Sequence, residues 1–401
     1  MVLLGSMLHR SELADILGRA IEDRLEPGDP ERLKQIVNLN SWTMRTWSTQ
    51  FALDMMRTIR GPDVQVRAVR TKGELKDLIV ASPYYLTPRI ETLIARYRRF
   101  PEDFYRETPY EGLIFLHGDP LRYVGSRRIK RVRRVAEKCA RRLIDYLFEE
   151  IRHRADELAA ERARHLNIPK EALVTPPEEM AAEFQHAERR VLKTIRQGQF
   201  VATMPQFFID DVVGLRVLIG PEVAYRVEEY LAAHPRLGVV DEKRFSGNFV
   251  GMNRVLRYRV PLEEVVAVPP DETACKVLVE RRVAADAGEA TRLYREFVAT
   301  GEEEVRFEIL LINFEELMES EIGRSMHEEH ILEQREKQEY RGRLARNIEA
   351  LMAYLFAFAL SPKATICRLP IQVGGSYLDD YFDSVMRALF SSTTGTLGLT
   401  L

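Results

Sequence analysis

The chain has 401 residues, 45% of them hydrophobic and 30% charged, the proportions of a globular protein with a large core. They exclude a disordered, collagen-like or disulfide-scaffold class. A formal net charge of -2 excludes a uniformly basic nucleic-acid coat protein, though not a local basic patch.

Cys139, Cys275 and Cys367 are widely spaced and form no C-x-x-C pair. They suggest neither a zinc knuckle nor a disulfide framework and fit a reducing compartment, so a cytoplasmic location is expected. The first ten residues lack the charged and long apolar regions of a signal peptide. The longest apolar run, Ala350 to Leu360, is too short for a membrane span of about 20 residues and reads as a buried helix.

In chain order, the first 175 residues read as mostly helical. Leu8 to Leu25 is amphipathic and stops at Pro27-Gly28-Asp29-Pro30. Ser41 to Ile59 carries Trp42, Trp47, Phe51, Leu53 and Met56 at helical spacing, read as core. Thr87-Pro88 opens a helix through Arg99, and Ser126 to Leu166 reads as one long charged helix. Thr175-Pro176-Pro177 marks a boundary. Beyond it, helices (Glu179 to Arg196, Ala224 to His234, Gly288 to Ala299, Phe314 to Ala359, Leu378 to Phe390) alternate with apolar runs. The runs Val212 to Ile219, Gly238 to Asp241, Met252 to Val260, Glu264 to Val268, Lys276 to Arg282 and Val305 to Ile312 read as strands, which makes this part α/β or α+β.

Four groups of residues could carry chemistry. Asp210 and Asp211 stand at the entrance of a strand that continues Val212-Val213-Gly214-Leu215-Arg216. A carboxylate there can hold Mg²⁺, and Arg216 can pair a phosphate; a solvated Asp pair is the plainer alternative. Glu308 is a lone acid in Phe307-Glu308-Ile309-Leu310-Leu311-Ile312. Period-2 alternation places it on one face with Arg306, Leu310 and Ile312, where it needs a partner or an ion. His327 and His330 lie one helical turn apart, but H-E-E-H is not the zincin spacing. Finally, Arg127, Arg128, Lys130, Arg131, Arg133, Arg134, Lys138, Arg141 and Arg142 crowd one segment. That basic helix, Arg127 to Arg142, either binds phosphate or RNA or is neutralised by acidic neighbours.

Together these pieces resemble the synthetase domain of the RelA/SpoT family of alarmone enzymes. Asp211-Val212-Val213-Gly214-Leu215-Arg216 is similar to the family's D-[LI]-x-G-[IL]-R strand. Glu308, followed by Glu321, Gly323 and His327, matches the spacing between the Glu of E-x-Q-I-R-T and the helix A-E-x-G-x-A-x-H. Asn248-Phe249-Val250-Gly251-Met252-Asn253 resembles the acceptor loop G-Y-x-S-x-H. The departures are Leu310 and Ile312 for the Gln and Arg, Asn253 for the His, and extra residues near 261–304. The resemblance covers roughly residues 180 to 335.

The resemblance implies an α+β fold: a mixed β-sheet, nucleotidyltransferase-like, flanked by helices and preceded by an all-α N-terminal domain. The expected division is 1–175, 176–335 with an insertion near 261–304, and a helical extension over 336–401. It implies Mg²⁺ held by Asp211 and Glu308, the two catalytic residues. Arg189, Arg190, Lys193 and Arg216 would grip phosphates, and Phe249 and Asn253 would meet the acceptor base. The activity implied is an ATP:nucleotide 3′-pyrophosphotransferase, with GDP or GTP as acceptor. The alternative is a catalytically inactive nucleotide- or RNA-binding module on the same fold. Self-association is left open, and no membrane partner is expected.

Overall fold

The computed structural model describes residues 1–246, 250–323, 342–366 and 368–391. The chain begins with β1 (Val2–Leu4), α1 (Arg10–Ile21), α2 (Asp29–Arg60), β2 (Gln65–Thr71), α3 (Lys72–Ala81) and α4 (Pro88–Arg99). It continues through β3 (Pro109–His117), β4 (Arg122–Ile129), α5 (Val132–His165), α6 (Pro177–Arg196), α7 (Phe200–Thr203), β5 (Phe207–Ile209) and β6 (Val213–Leu218). Next come α8 (Pro221–Ala233), β7 (Leu237–Phe245), β8 (Gly251–Arg259), α9 (Leu262–Val266), α10 (Glu272–Glu280), α11 (Ala287–Ala299) and β9 (Glu304–Ile312). The last elements are α12 (Phe314–Met318), α13 (Arg343–Leu360) and α14 (Asp379–Phe390).

Seven strands form one mixed sheet in the order β2-β3-β4-β6-β9-β8-β7. Only β6 and β9 pair in parallel; the other neighbours are antiparallel. A separate parallel pair joins β1 to β5. The α2 helix lies under one face of the large sheet. Its Trp47 and Phe51 rings sit 5.5 and 5.0 Å from the ring of Phe307 on β9. Of the residues singled out by helical spacing, Trp47, Phe51 and Met56 are therefore core, while Trp42 and Leu53 are half-buried against it. On the opposite face, Leu75 and Ile79 of α3 and Leu93 and Tyr97 of α4 pack against Ile114 and Ile312.

Local signals start several helices where the sequence places them. Thr87 caps α4 by accepting the Ile90 N–H, with Pro88 in the first turn. The run Ala350 to Leu360 is the buried end of α13, which packs against α2 and α5. No helix among the described residues is long and apolar enough to cross a membrane.

The all-α reading of residues 1–175 is corrected. This part holds β1 to β4, and β2, β3 and β4 belong to the same sheet as β6 to β9, so sheet and core run across residue 175. β3 and β4 are covered on both faces near the sheet centre and lack a clean alternation of apolar and polar residues. β2 is an edge strand with only Val69 buried. The long helix expected from Ser126 starts only at Val132, because Ser126 to Ile129 pair with β6. Two expected strands are helices. Glu264 to Val268 falls mostly in α9, and Lys276 to Arg282 mostly in α10, which Asp271 caps through the Ala274 N–H at 2.7 Å. A short apolar run does not by itself distinguish strand from helix. Segment 261–304 forms three helices between β8 and β9. Of the expected helix Phe314 to Ala359, the described residues form α12, a π-helical turn over Glu319–Gly323 and most of α13, while residues 324–341 lie outside the described residues.

One sheet built from both halves of the chain has a direct consequence. A fragment of residues 176–401 would lose β4 beside β6 and α2 beneath β9. We expect calorimetry to show a cooperative thermal transition for the full chain and none for that fragment.

Candidate functional site

The parallel register sets Gly214 of β6 beside Glu308 of β9, and the antiparallel register sets Val255 of β8 on its other side. Neighbouring residues in a sheet point to the same face. Glu308 therefore shares its face with Arg306 and Leu310 of β9, Asn253 and Val255 of β8, and Arg128 of β4. Gly214 has no side chain beside the Glu308 carboxylate. A Cβ built there would meet nothing nearer than the Arg128 side chain, at 3.7 Å, so the position is an opening in the sheet face.

Asp211 stands just before β6. Its Oδ2 is ion-paired to both Lys130, from the link after β4, and Lys138, from the first turns of α5. The Lys130 ammonium also donates to the Asp211 carbonyl at 2.6 Å. The Asn253 side chain lies near the Glu308 carboxyl and favours its ionised form. Three buried oxygens, Oδ1 of Asp210, of Asp211 and of Asn253, have no hydrogen-bond partner.

Burial and the competing charges set opposite protonation tendencies on these carboxylates. Burial would raise the Asp211 pKa, but Lys130 and Lys138 together outweigh it and hold the group well below the usual range. Glu308 is raised by burial and by repulsion from Asp211, which Lys130 and Asn253 offset only in part. Asp210 is pushed up to about 6 by burial, against the opposing charge of Arg306. Lys130 is lowered to about 7 by burial and by Arg128, despite its bond to Asp211. The result is a firmly ionised Asp beside a carboxyl group inclined to hold a proton.

Of the residues expected at the site, Asp211, Glu308 and Asn253 come together. Arg216 does not take its expected place. It points to the same face further along β6, where it pairs with the fully buried Glu321 at 2.6 Å, and Lys72 holds the other oxygen at 3.0 Å. Its guanidinium is committed to that ion pair. Arg189, Arg190 and Lys193 are exposed on α6, and none of them appears among the partners of Asp211 or Glu308. Phe249, His327 and His330 lie outside the described residues. The expected basic helix Arg127 to Arg142 is divided. Arg127 and Arg128 are on β4, and Arg127 is buried with a bond to Thr49 at 2.8 Å. Cys139 and Cys275 are buried free thiols.

Lys130 and Lys138 are the contributors that reading the sequence passed over. Both belong to the basic run, but no spacing marks two of its nine cations as the ones that meet Asp211. The pairing depends on β4 lying against β6.

No family model matches the chain, and neither a curated protein nor a solved structure does. The site must therefore be judged on its own chemistry. Among the described residues, no cluster of three or more His, Cys, Asp or Glu side chains forms a metal site. A carboxylate pair with unpartnered oxygens still fits Mg²⁺, which commonly binds through one or two carboxylates together with substrate phosphates.

Two substitutions test the charge balance. Asp211→Asn leaves Lys130 and Lys138 without their buried counter-charge, and we expect a loss of about 3–5 kcal/mol at neutral pH. Because the Asp211 pKa is depressed, its contribution is present above about pH 4 and is lost as pH falls, so the gap from wild type narrows in acid. Asp210→Asn has the opposite sign. The raised pKa makes the Asp210 contribution full at low pH and lost as pH rises through about 6, so this variant is the more stable protein at about pH 8. Urea unfolding between about pH 2 and 8 measures both.

Proposed function

We propose that the protein is a divergent RelA/SpoT-like nucleotide pyrophosphokinase, transferring pyrophosphate from ATP to the ribose 3′-hydroxyl of an acceptor nucleotide, with GDP or GTP favoured. The observation that carries this reading is the Asp211–Glu308 pair, Asp211 at the entrance of β6 with its Oδ1 unpartnered and Glu308 on the neighbouring parallel strand, with Lys130 and Lys138 against Asp211. Asp211 and Glu308 would hold Mg²⁺, which when bound offsets the charge of the phosphate oxygens. The lysines would turn from Asp211 toward the phosphates, where their ammonium groups oppose the negative charge of the chain being transferred. Glu308, with its raised proton affinity, would accept the 3′-hydroxyl proton as that oxygen bonds to the β-phosphorus and AMP departs. Asn253, on the same face of the neighbouring strand, would help orient the Glu308 carboxylate. Alarmone metabolism in the cytoplasm is the setting this reading entails.

A second reading, a catalytically inactive nucleotide-binding module, is favoured by one observation. Arg216 is spent in a buried pair with Glu321, so one expected phosphate ligand is missing from the site. An RNA contact through residues 127–142 is supported less, since Arg127 is buried and Lys130 and Lys138 face Asp211.

The deciding experiment incubates the full chain with γ-labelled ATP, Mg²⁺ and GDP, GTP, ADP, ATP or bulk tRNA. We expect label on a guanosine nucleotide, and a loss of at least about 10²-fold in Glu308→Gln, the usual contribution of a general base. Nucleotide binding by calorimetry without transfer would instead establish the inactive module.

A further inference from the structure

The N-terminal residues reach in between β6 and β9. Val212 turns its backbone toward β4, its carbonyl accepting the Lys130 N–H at 2.8 Å. Backbone groups alternate sides along a strand, so Val213 faces β9. One more step of the parallel ladder would join the Val213 N–H directly to the Arg306 carbonyl, and the Arg306 N–H to the Asp211 carbonyl. Neither bond is made. The Ser6 hydroxyl stands between the first pair, accepting from Val213 N at 3.2 Å and donating to Arg306 O at 2.7 Å. The Gly5 carbonyl takes the Arg306 N–H at 2.7 Å, and the Gly5 N–H binds the Ile209 carbonyl at 2.9 Å.

Gly5 and Ser6 thus form a wedge that replaces two ladder bonds where β6 and β9 part. Ser6 is fully buried, so its hydroxyl has no water to serve instead. The fit also constrains Gly5, where a Cβ would lie 2.4 Å from Asp210 Oδ1 and 3.0 Å from Arg306 Cβ. The wedge frees the Asp211 carbonyl for Lys130. It spreads the strands between the residues that carry Asp211 and Glu308.

We propose that Ser6, supported by Gly5, is a positioning residue that sets the spacing between the Asp211 and Glu308 carboxylates. Its role in turnover rests on the pyrophosphokinase reading; its role as a spacer does not. The test compares full-length wild type, Ser6→Ala and Ser6→Thr, the last retaining the hydroxyl. In the transfer assay, Ser6→Ala is expected to raise the Mg²⁺ concentration for half-maximal rate at least fivefold. It should lower kcat about tenfold with KM for ATP little changed, and Ser6→Thr should recover most of the loss. A general loss of stability would not produce that split.

Amide hydrogen exchange supplies a readout independent of activity. Ser6→Ala should speed exchange at Val213 at least tenfold while amides in the middle of α2 keep wild-type protection. Wild-type exchange at Val213, or unaltered Mg²⁺ dependence in an active Ser6→Ala, would overturn the proposal. If wild type neither transfers nor binds nucleotide, the functional reading fails alone, and exchange at Val213 still decides whether Ser6 spaces the strands.

Discussion

The parallel pairing of β6 with β9 brings the Asp211 and Glu308 carboxylates close enough to repel on a largely covered sheet, and the surrounding structure answers that repulsion. Two buried like charges are not held together without compensation. Lys130 and Lys138 supply it at Asp211, and the Asn253 amide supplies a smaller part at Glu308. Each compensating residue comes from a different element: the link after β4, helix α5, and strand β8. The sheet order β4-β6-β9-β8 is therefore what assembles the site. The α2 aromatics beneath Phe307 hold that order from the opposite face.

The face bearing Glu308 is divided along its length. Toward the C-terminal ends of β6 and β9, Arg216, Glu321 and Lys72 form an ion-pair cluster within the smaller core. Toward the other end, Gly214 leaves an opening and the carboxylates keep unpartnered oxygens. One arginine and one aspartate on the same short segment thus have different fates. Arg216 meets a buried partner that neutralises it in place, whereas Asp211 meets two lysines, of which Lys138 is partly exposed. This contrast bears on function more than the presence of either residue, because a fold alone does not specify an activity.

Much of the local structure was legible in advance. The Thr87-Pro88 start of α4, the aromatic stripe of α2 and the strands around Val213, Met252 and Val305 follow from local rules, caps and periodicity, whereas the pairing of Asp211 with Glu308 was implied only by the family resemblance. The strands β2 to β4 were not legible. β4 merges with the basic start of α5 in sequence, and its residues are buried on both faces, so neither composition nor period separates them. Glu264 to Val268 and Lys276 to Arg282 failed for the opposite reason, since short apolar runs satisfy both periods.

The sequence by itself determined the class of the protein, the Thr87-capped start of α4, and the chemical identity of the two central carboxylates. These depend on residues close together in the chain or on composition. The tertiary structure decided which cations meet Asp211, where Arg216 spends its charge, that both halves of the chain share one sheet, and that Gly5 and Ser6 reach between β6 and β9. Those outcomes depend on pairings between distant segments, from Lys138 with Asp211, 73 residues apart, to Ser6 with Arg306, 300 apart. Such pairings are selected by burial and backbone hydrogen bonding across the whole core, and no local pattern encodes them.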